Sequence, residues 1–375
     1  MEKRLIKMTI LAQIIVFLLV LFMISANAQH LANVESSNYK SINKQISENI
    51  DIIIFISPQY FNDIEILNSI NNYKKIVKDD IGWESKIIFI TKEKNNYLKI
   101  DEIIEENYKL YKIKACIMVG EDIDTPIGGR YKNIEKPSII PWSTVGGEDA
   151  YKVLDKKIIS KPYNAKICIS LLYPPSELSY EVKKTQIIQV FQKFSENREQ
   201  KYNNKILVME SSSINKESKH IYQSLNKIGN LNYQKNPDRK KILETLNQDY
   251  SLYMIHGHSN PLGTNLNLNK EGWFSAENID SINAPFFAAD GCYVNGWTND
   301  LEKKSCYYSK IFTSKKVKVM ALGLLSQNGL ETKVSFVENT LPDLVIGKTI
   351  AESVIGNIYI DCIIFGDPTF HYSFF

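Results

Sequence analysis

Two short stretches of this chain set reactive side chains beside glycine. One is YMIHGHSN, which carries His256, Gly257, His258 and Ser259. The other is FFAADGCYVNGW, which carries Asp290, Gly291 and Cys292 and runs on through Asn295 and Gly296 to Trp297. A thiol becomes a working nucleophile when a nearby imidazole can take up and return protons. Main-chain N–H groups beside glycine can then face the oxyanion that develops on an attacked carbonyl. In that scheme Cys292 is the nucleophile and His256, or alternatively His258, is the acid–base group. Gly257 and Cys292 supply the oxyanion N–H groups, and Gly291 leaves room for a substrate. Two other readings fit the same residue types. His-x-His on a strand points both imidazoles to one face, so His256, His258 and Cys292 form a three-ligand metal set, for which the sequence offers no obvious fourth ligand. The third reading is a packed structural cluster with no chemistry.

The elements that must position these residues are legible in the hydropathy. Nine short apolar runs span 51–57, 86–91, 114–120, 165–173, 205–210, 250–257, 284–291, 317–325 and 359–367. Most are rich in Ile, Val and Phe with little alternation, which predicts strands buried on both faces of a parallel sheet. Amphipathic stretches such as YFNDIEILNSINNYKKIVKDD, YEVKKTQIIQVFQKFSENREQKY and KKILETLNQ lie between them. Strand and helix in repeated alternation predict a doubly wound α/β architecture. A polar stretch near residue 200 divides it into a lobe over 50–200 and a catalytic lobe over 201–375. In such sheets reacting groups gather beyond the carboxyl ends of the strands. The runs ending at His256 and Cys292 are successive, and WFSAENIDSI between them reads as a helix with Ser275 as N-cap. A right-handed crossover sets the two strand ends side by side.

The 45 Lys and Arg residues nearly balance the 42 Asp and Glu residues, and the signs are interspersed, so no nucleic-acid face is expected. Residues 1–28 have a basic start (Lys3, Arg4, Lys7), an apolar run from Met8 to Ile24 and the small-residue pattern Ser25-Ala26-Asn27-Ala28. This predicts a signal peptide cleaved after Ala28, and hence a secreted or cell-envelope protein. Membrane attachment follows only if that segment is retained. Residues 29–49 read as a polar leader. Five cysteines in an exported chain leave at least one unpaired. Cys116, Cys168 and Cys362 lie in apolar runs and are expected to act as small buried hydrophobes. Cys306 lies among charged neighbours and reads as a helix residue.

The order of apolar strand, His-Gly, helix, apolar strand and Cys resembles the caspase-like clan of cysteine peptidases. Within the clan the chain is most similar to the gingipain-type peptidases (family C25). LYMIHGHSNPLG resembles the family's histidine segment, PFFAADGCYVNGW its approach to the nucleophile, and IIFGDPTFHY the Gly-Asp-Pro stretch that closes its catalytic domain. ACIMVGEDIDTP and AKICISLLYPPSELSYEVKKTQIIQVFQKF extend the likeness upstream, so it covers about residues 50–372. The resemblance implies a caspase-like or gingipain-like fold, with doubly wound, mostly parallel sheets flanked by helices in two lobes. It implies an endopeptidase acting on protein or peptide substrates through a His/Cys dyad. No cofactor is required, and structural calcium is possible in the acidic loops holding Asp122, Asp124, Glu148 and Asp149. A substrate pocket would draw on Gly291, Trp297 and Asp149. The chain departs from the family where Gly-His-Gly-Ser becomes His256-Gly257-His258-Ser259. Tyr253 three residues earlier and Gly257 just after favour His256 as the acid–base residue. The family's arginine in the upstream strand is replaced by Ser170-Leu171. The alternative is a weak or inactive relative that acts as a secreted binding or assembly factor.

Overall fold

The structure is a computed structural model. It describes residues 49–375 except 94–95, 132–133, 146–150, 155–156, 161–162, 197, 199–200, 213–224, 227–228, 268–270, 292–293, 295–304, 324–335, 360–361 and 373–375. The signal peptide and almost all of the polar leader therefore lie outside the described residues. Among the described residues no helix is long and apolar enough to cross a membrane.

Ile50–Phe375 form one compact unit. The fold is mixed α/β, built on a large, mostly parallel sheet flanked by helices. Its first block of strands is β1 (Ile52–Ile56), β2 (Ser85–Phe89), β3 (Ala115–Val119) and β4 (Cys168–Leu172). The second block holds β5 (Lys205–Glu210), β6 (Asn230–Lys235) and β7 (Leu252–His256). Three short strands follow, β8 (His258–Asn260), β9 (Gly263–Asn265) and β10 (Trp273–Ser275). The chain then returns to the sheet as β11 (Phe286–Asp290), β12 (Val319–Gly323) and β13 (Cys362–Gly366). The ten-stranded order is β6-β5-β7-β11-β12-β13-β4-β3-β1-β2. The segments 50–200 and 201–375 thus contribute contiguous parts of one sheet, meeting where β13 pairs with β4.

All nine apolar runs become strands of this sheet. Eight are inner strands, which need side chains apolar on both faces, and the ninth, β2, lies at an edge with only Ser85 buried. The tenth strand, β6 (NLNYQK), carries no such run. It lies at an edge, and none of its residues is fully buried, so nothing selects an apolar sequence there.

One pairing decides where the strand ends point. Strands β12 and β13 are antiparallel, while every other adjacent pair in the sheet is parallel. The two parallel blocks therefore run in opposite directions. The carboxyl ends of β5, β7, β11 and β12 share one edge, and those of β1, β3, β4 and β13 lie at the other. Asp122 and Asp124, which follow β3, are thus at the far edge from His256. There Asn96 binds the loop reciprocally: its side chain donates to the Asp122 carbonyl (2.9 Å) and accepts from the Asp124 N–H (2.9 Å).

The helices follow from their sequences. In α1 (Ile64–Ile81), Asp63 caps the N–H groups of Glu65 and Ile66. Ile66, Ile70, Tyr73 and Val77 make the buried stripe, and Gly82 ends the helix at φ +74°. Helix α1 packs against α2 (Tyr180–Ser195), where the Ser69 hydroxyl donates to the Ile188 carbonyl (3.2 Å).

The Gly-Asp-Pro stretch that carries part of the resemblance has a structural job. Asp367 is fully buried and accepts from the Tyr73 hydroxyl (2.7 Å), from Arg198 (2.7 Å) and from the Thr369 N–H (2.9 Å). Arg198 also reaches Asp80 (2.6 Å), as does His371 (3.1 Å). Burial pushes the Asp80 carboxyl up, but the bonds from His371 and Arg198 outweigh it and hold it down at about 2. This network ties the C-terminal stretch to α1 and to the chain after α2, away from His256.

Candidate functional site

The site is built on one register. In the parallel pairings β5–β7 and β7–β11, Glu210 lies opposite His256 and His256 opposite Asp290. Each is the last residue of its strand, so three consecutive strands end in an acid, an imidazole and an acid. Glu210 Oε1 lies 3.4 Å from His256 Nδ1, and Asp290 Oδ2 lies 3.9 Å from Nε2. The second distance exceeds hydrogen-bond length, so Nε2 is not committed to Asp290. The carboxylates bracket opposite nitrogens of the ring, so the three groups do not converge on one point. Among the described residues no group of His, Cys, Asp and Glu is arranged to hold a metal ion.

Glu210 is 1% exposed, and a carboxylate buried that far needs compensation. It receives it from the Tyr233 hydroxyl, which donates to Oε2 at 2.7 Å, and from the charge of His256, whose Nδ1 lies at ion-pair distance from Oε1 without the geometry of a hydrogen bond. For His256 itself, burial disfavours the cation. The Glu210 carboxylate beside Nδ1 and the charge of Asp290 outweigh that effect, and its pKa rises above the ordinary 6.5. By linkage, the stabilisation from this proton is complete below 6.5 and is lost as pH rises through the raised folded value. Glu210→Gln removes the negative charge, leaves only a neutral amide oxygen as acceptor, and keeps the burial. The His256 titration, followed by imidazole NMR, is expected to move down in that variant. A titration that stays in place would show that Glu210 does not hold the proton.

The two histidines lie in different surroundings. His256 is largely buried, with its side chain 15% exposed. His258 is exposed on β8, opposite Asn265 of β9. Tyr253 faces the core, where its hydroxyl meets Thr245 (2.8 Å), because residues three apart on a strand point to opposite faces.

The chain leaving β11 is pressed against the chain leaving β7. A side chain added at Gly291 would collide with the Gly257 carbonyl and with Ser259, so only glycine fits this approach. Ser259 is held in turn, donating to the Gly257 carbonyl (3.0 Å) and bonding the Thr264 hydroxyl (2.9 Å). Thr264 is bonded by the fully buried Tyr307 (2.9 Å). Cys292 follows Gly291 directly in the sequence and lies outside the described residues, as do Trp297 and Asp149.

Two expectations change here. The Gly257 N–H, expected to face an oxyanion, donates instead to the Asp290 carbonyl at 3.1 Å. The β7–β11 ladder continues one bond past the strand end and takes it up. The expected helix between the two strands is β10 followed by a 3-10 helix over Ala276–Ser281, with Ser275 forming a capping box with Asn278. Trp273 and Phe274 belong to the three-stranded sheet β8-β9-β10.

The remaining described cysteines are buried away from solvent. Burial pushes the Cys116 and Cys168 thiols well above their ordinary range, which makes them unreactive. Cys306 is buried at the start of the 3-10 helix Tyr307–Ser309, not on a charged helix face. Sequence reasoning missed Glu210 and Asp290 as partners of His256. Their signal was present, since KILVME and FFAAD each end an apolar run on an acid, but it acquires meaning only once the register aligns those ends.

No family model matches the chain, and no curated protein matches it. Among solved structures it overlaps weakly with a crystal structure from Mycobacterium smegmatis (TM-score 0.22, 9% identity, 85% of this chain and 92% of that one). It overlaps similarly with the XylFII-LytSN complex (TM-score 0.21, 9% identity, 83% and 97%). A third is the branched-chain amino acid transporter substrate binding protein LivJ from Streptococcus pneumoniae, in complex with isoleucine (TM-score 0.17, 7% identity, 76% and 74%). At these TM-scores the overlap does not amount to a shared fold.

Proposed function

We propose that the chain is an exported cysteine endopeptidase of the gingipain type, with a caspase-like arrangement of its sheet. The observation that carries this reading is the seating of Gly291, the residue before Cys292, against Gly257 and Ser259, just beyond a His256 bracketed by Glu210 and Asp290. Cys292 Sγ attacks the scissile carbonyl carbon, and the carbonyl electron pair moves onto oxygen. When the tetrahedral species collapses, the C–N bond breaks and His256 Nε2–H gives its proton to the leaving amine. The proton His256 gives up is the one it took from the Cys292 thiol as sulfur attacked. Neutral His256 then takes a proton from water, whose oxygen attacks the thioester carbon. On collapse of that species the S–C bond breaks, the acid leaves and His256 returns the proton to sulfur. Glu210 on Nδ1 holds the ring so that Nε2 faces the reaction, and it favours the cation that the first step consumes. With the Gly257 amide engaged, the main-chain N–H of Cys292 remains the candidate oxyanion donor. Substrates are proteins or peptides, and the location is secreted or cell-envelope, with membrane attachment only if the signal segment is retained. The reading requires no cofactor. Calcium, if bound, belongs to the acidic loops.

The engaged Gly257 amide favours a second reading, a weak or inactive relative serving as a secreted binding or assembly factor. Labelling with a peptidyl chloromethyl ketone separates the two. The peptidase is expected to be alkylated at Cys292, with Cys116 and Cys168 untouched by mass spectrometry. Iodoacetamide is expected to end hydrolysis and 1,10-phenanthroline to spare it. Absence of both labelling and hydrolysis would carry the second reading, and zinc-reversible loss with phenanthroline would carry a metal site.

A further inference from the structure

We infer that Tyr233 is a positioning residue for the His256 site, acting through Glu210; as a contribution to catalysis the inference rests on the peptidase reading above. Tyr233 lies on the edge strand β6, opposite Val208 of β5. Val208 and Glu210 share a face of their strand, so the tyrosine is on Glu210's side of the sheet. Its hydroxyl donates to Glu210 Oε2 at 2.7 Å, while Oε1 lies 3.4 Å from His256 Nδ1.

The two contacts fall on different oxygens of the carboxylate: the phenol bonds Oε2, and Oε1 faces the imidazole. The terminal torsion of a glutamate is broad and weakly restrained, so a hydrogen bond to Oε2 narrows the range over which Oε1 can turn from the imidazole. Two charged groups bear on His256: Glu210 from β5 and Asp290 from β11. Glu210 is faced by His256 from β7 and by Tyr233 from β6. Tyr233 is thus the outer end of a line running Tyr233, Glu210, His256, Asp290 across four neighbouring strands. It is also the one aromatic residue in β6, on a strand whose other side chains are mostly polar.

Tyr233 is 39% exposed, so Tyr233→Phe opens no core cavity and the variant is expected to fold. Two measurements on the full chain test the inference. In peptide hydrolysis, kcat is expected to fall about tenfold with KM unchanged, the low end of what one hydrogen bond to a charged group is worth. In imidazole NMR, with the His256 resonance identified by its absence from His256→Ala, its titration is expected to move down, because a turned carboxylate holds the proton less well. A residue that merely satisfies a buried carboxylate would lower thermal stability and leave the titration in place, and that result overturns the inference. So does a change confined to KM. Wild-type protein that hydrolyses no peptide overturns the peptidase reading instead, and the titration then decides by itself whether Tyr233 orients Glu210.

Discussion

Cys292→Ala is expected to abolish peptide hydrolysis while leaving the far-UV circular dichroism unchanged. Removing a covalent nucleophile normally costs several orders of magnitude in kcat. The other described cysteines do not substitute, since Cys116, Cys168, Cys306 and Cys362 are all buried. Cys292→Ala removes only the sulfur and its proton, leaving a methyl side chain and no new backbone constraint, so the fold should survive. The Gly291 contact that seats the preceding residue is untouched by the change. Residual activity above about a tenth of wild type would reject Cys292 as nucleophile, because that loss is too small for a covalent step.

The two histidines should differ by orders of magnitude. His256→Ala is expected to lose about two to four orders in kcat, the scale of a general acid–base residue. His256 ends β7 between Glu210 and Asp290, and its raised pKa keeps it protonated to higher pH than an ordinary imidazole. As the acid that protonates the leaving amine, it should give activity that falls as pH rises through that value. His258→Ala is expected to lose tenfold or less, since His258 is exposed on β8 and paired across the strand with Asn265. Any loss there would come through substrate positioning. Steady-state kinetics of both variants across pH decide the matter. The reverse order of effects would move the acid–base role to His258 and leave the reaction class intact.

The sequence alone determined that this is an α/β chain and which segments form nine of the ten strands of its large sheet, the eight inner ones and the edge strand β2. Strands buried on two faces must be apolar on both, so DIIIFIS, KACIMVG and KILVME announce themselves without any knowledge of their neighbours. It also marked His256 and Gly291-Cys292 as strand-end residues beside glycine, because those types are costly at such places without a reason. The polar edge strand β6 could not be read, since an exposed strand is under no pressure to be apolar. Nor could the reversal between β12 and β13 be read from local pattern, because a buried strand looks the same in either direction. That reversal alone sends the acidic loop after β3 to the far edge from His256. Register was likewise a tertiary decision. Glu210 and Asp290 are separated from His256 by dozens of residues, and hydrogen bonding between whole strands sets them at its two ring nitrogens. The same ladder took the Gly257 N–H for the Asp290 carbonyl, because a backbone donor beside a continuing sheet bonds the nearest carbonyl.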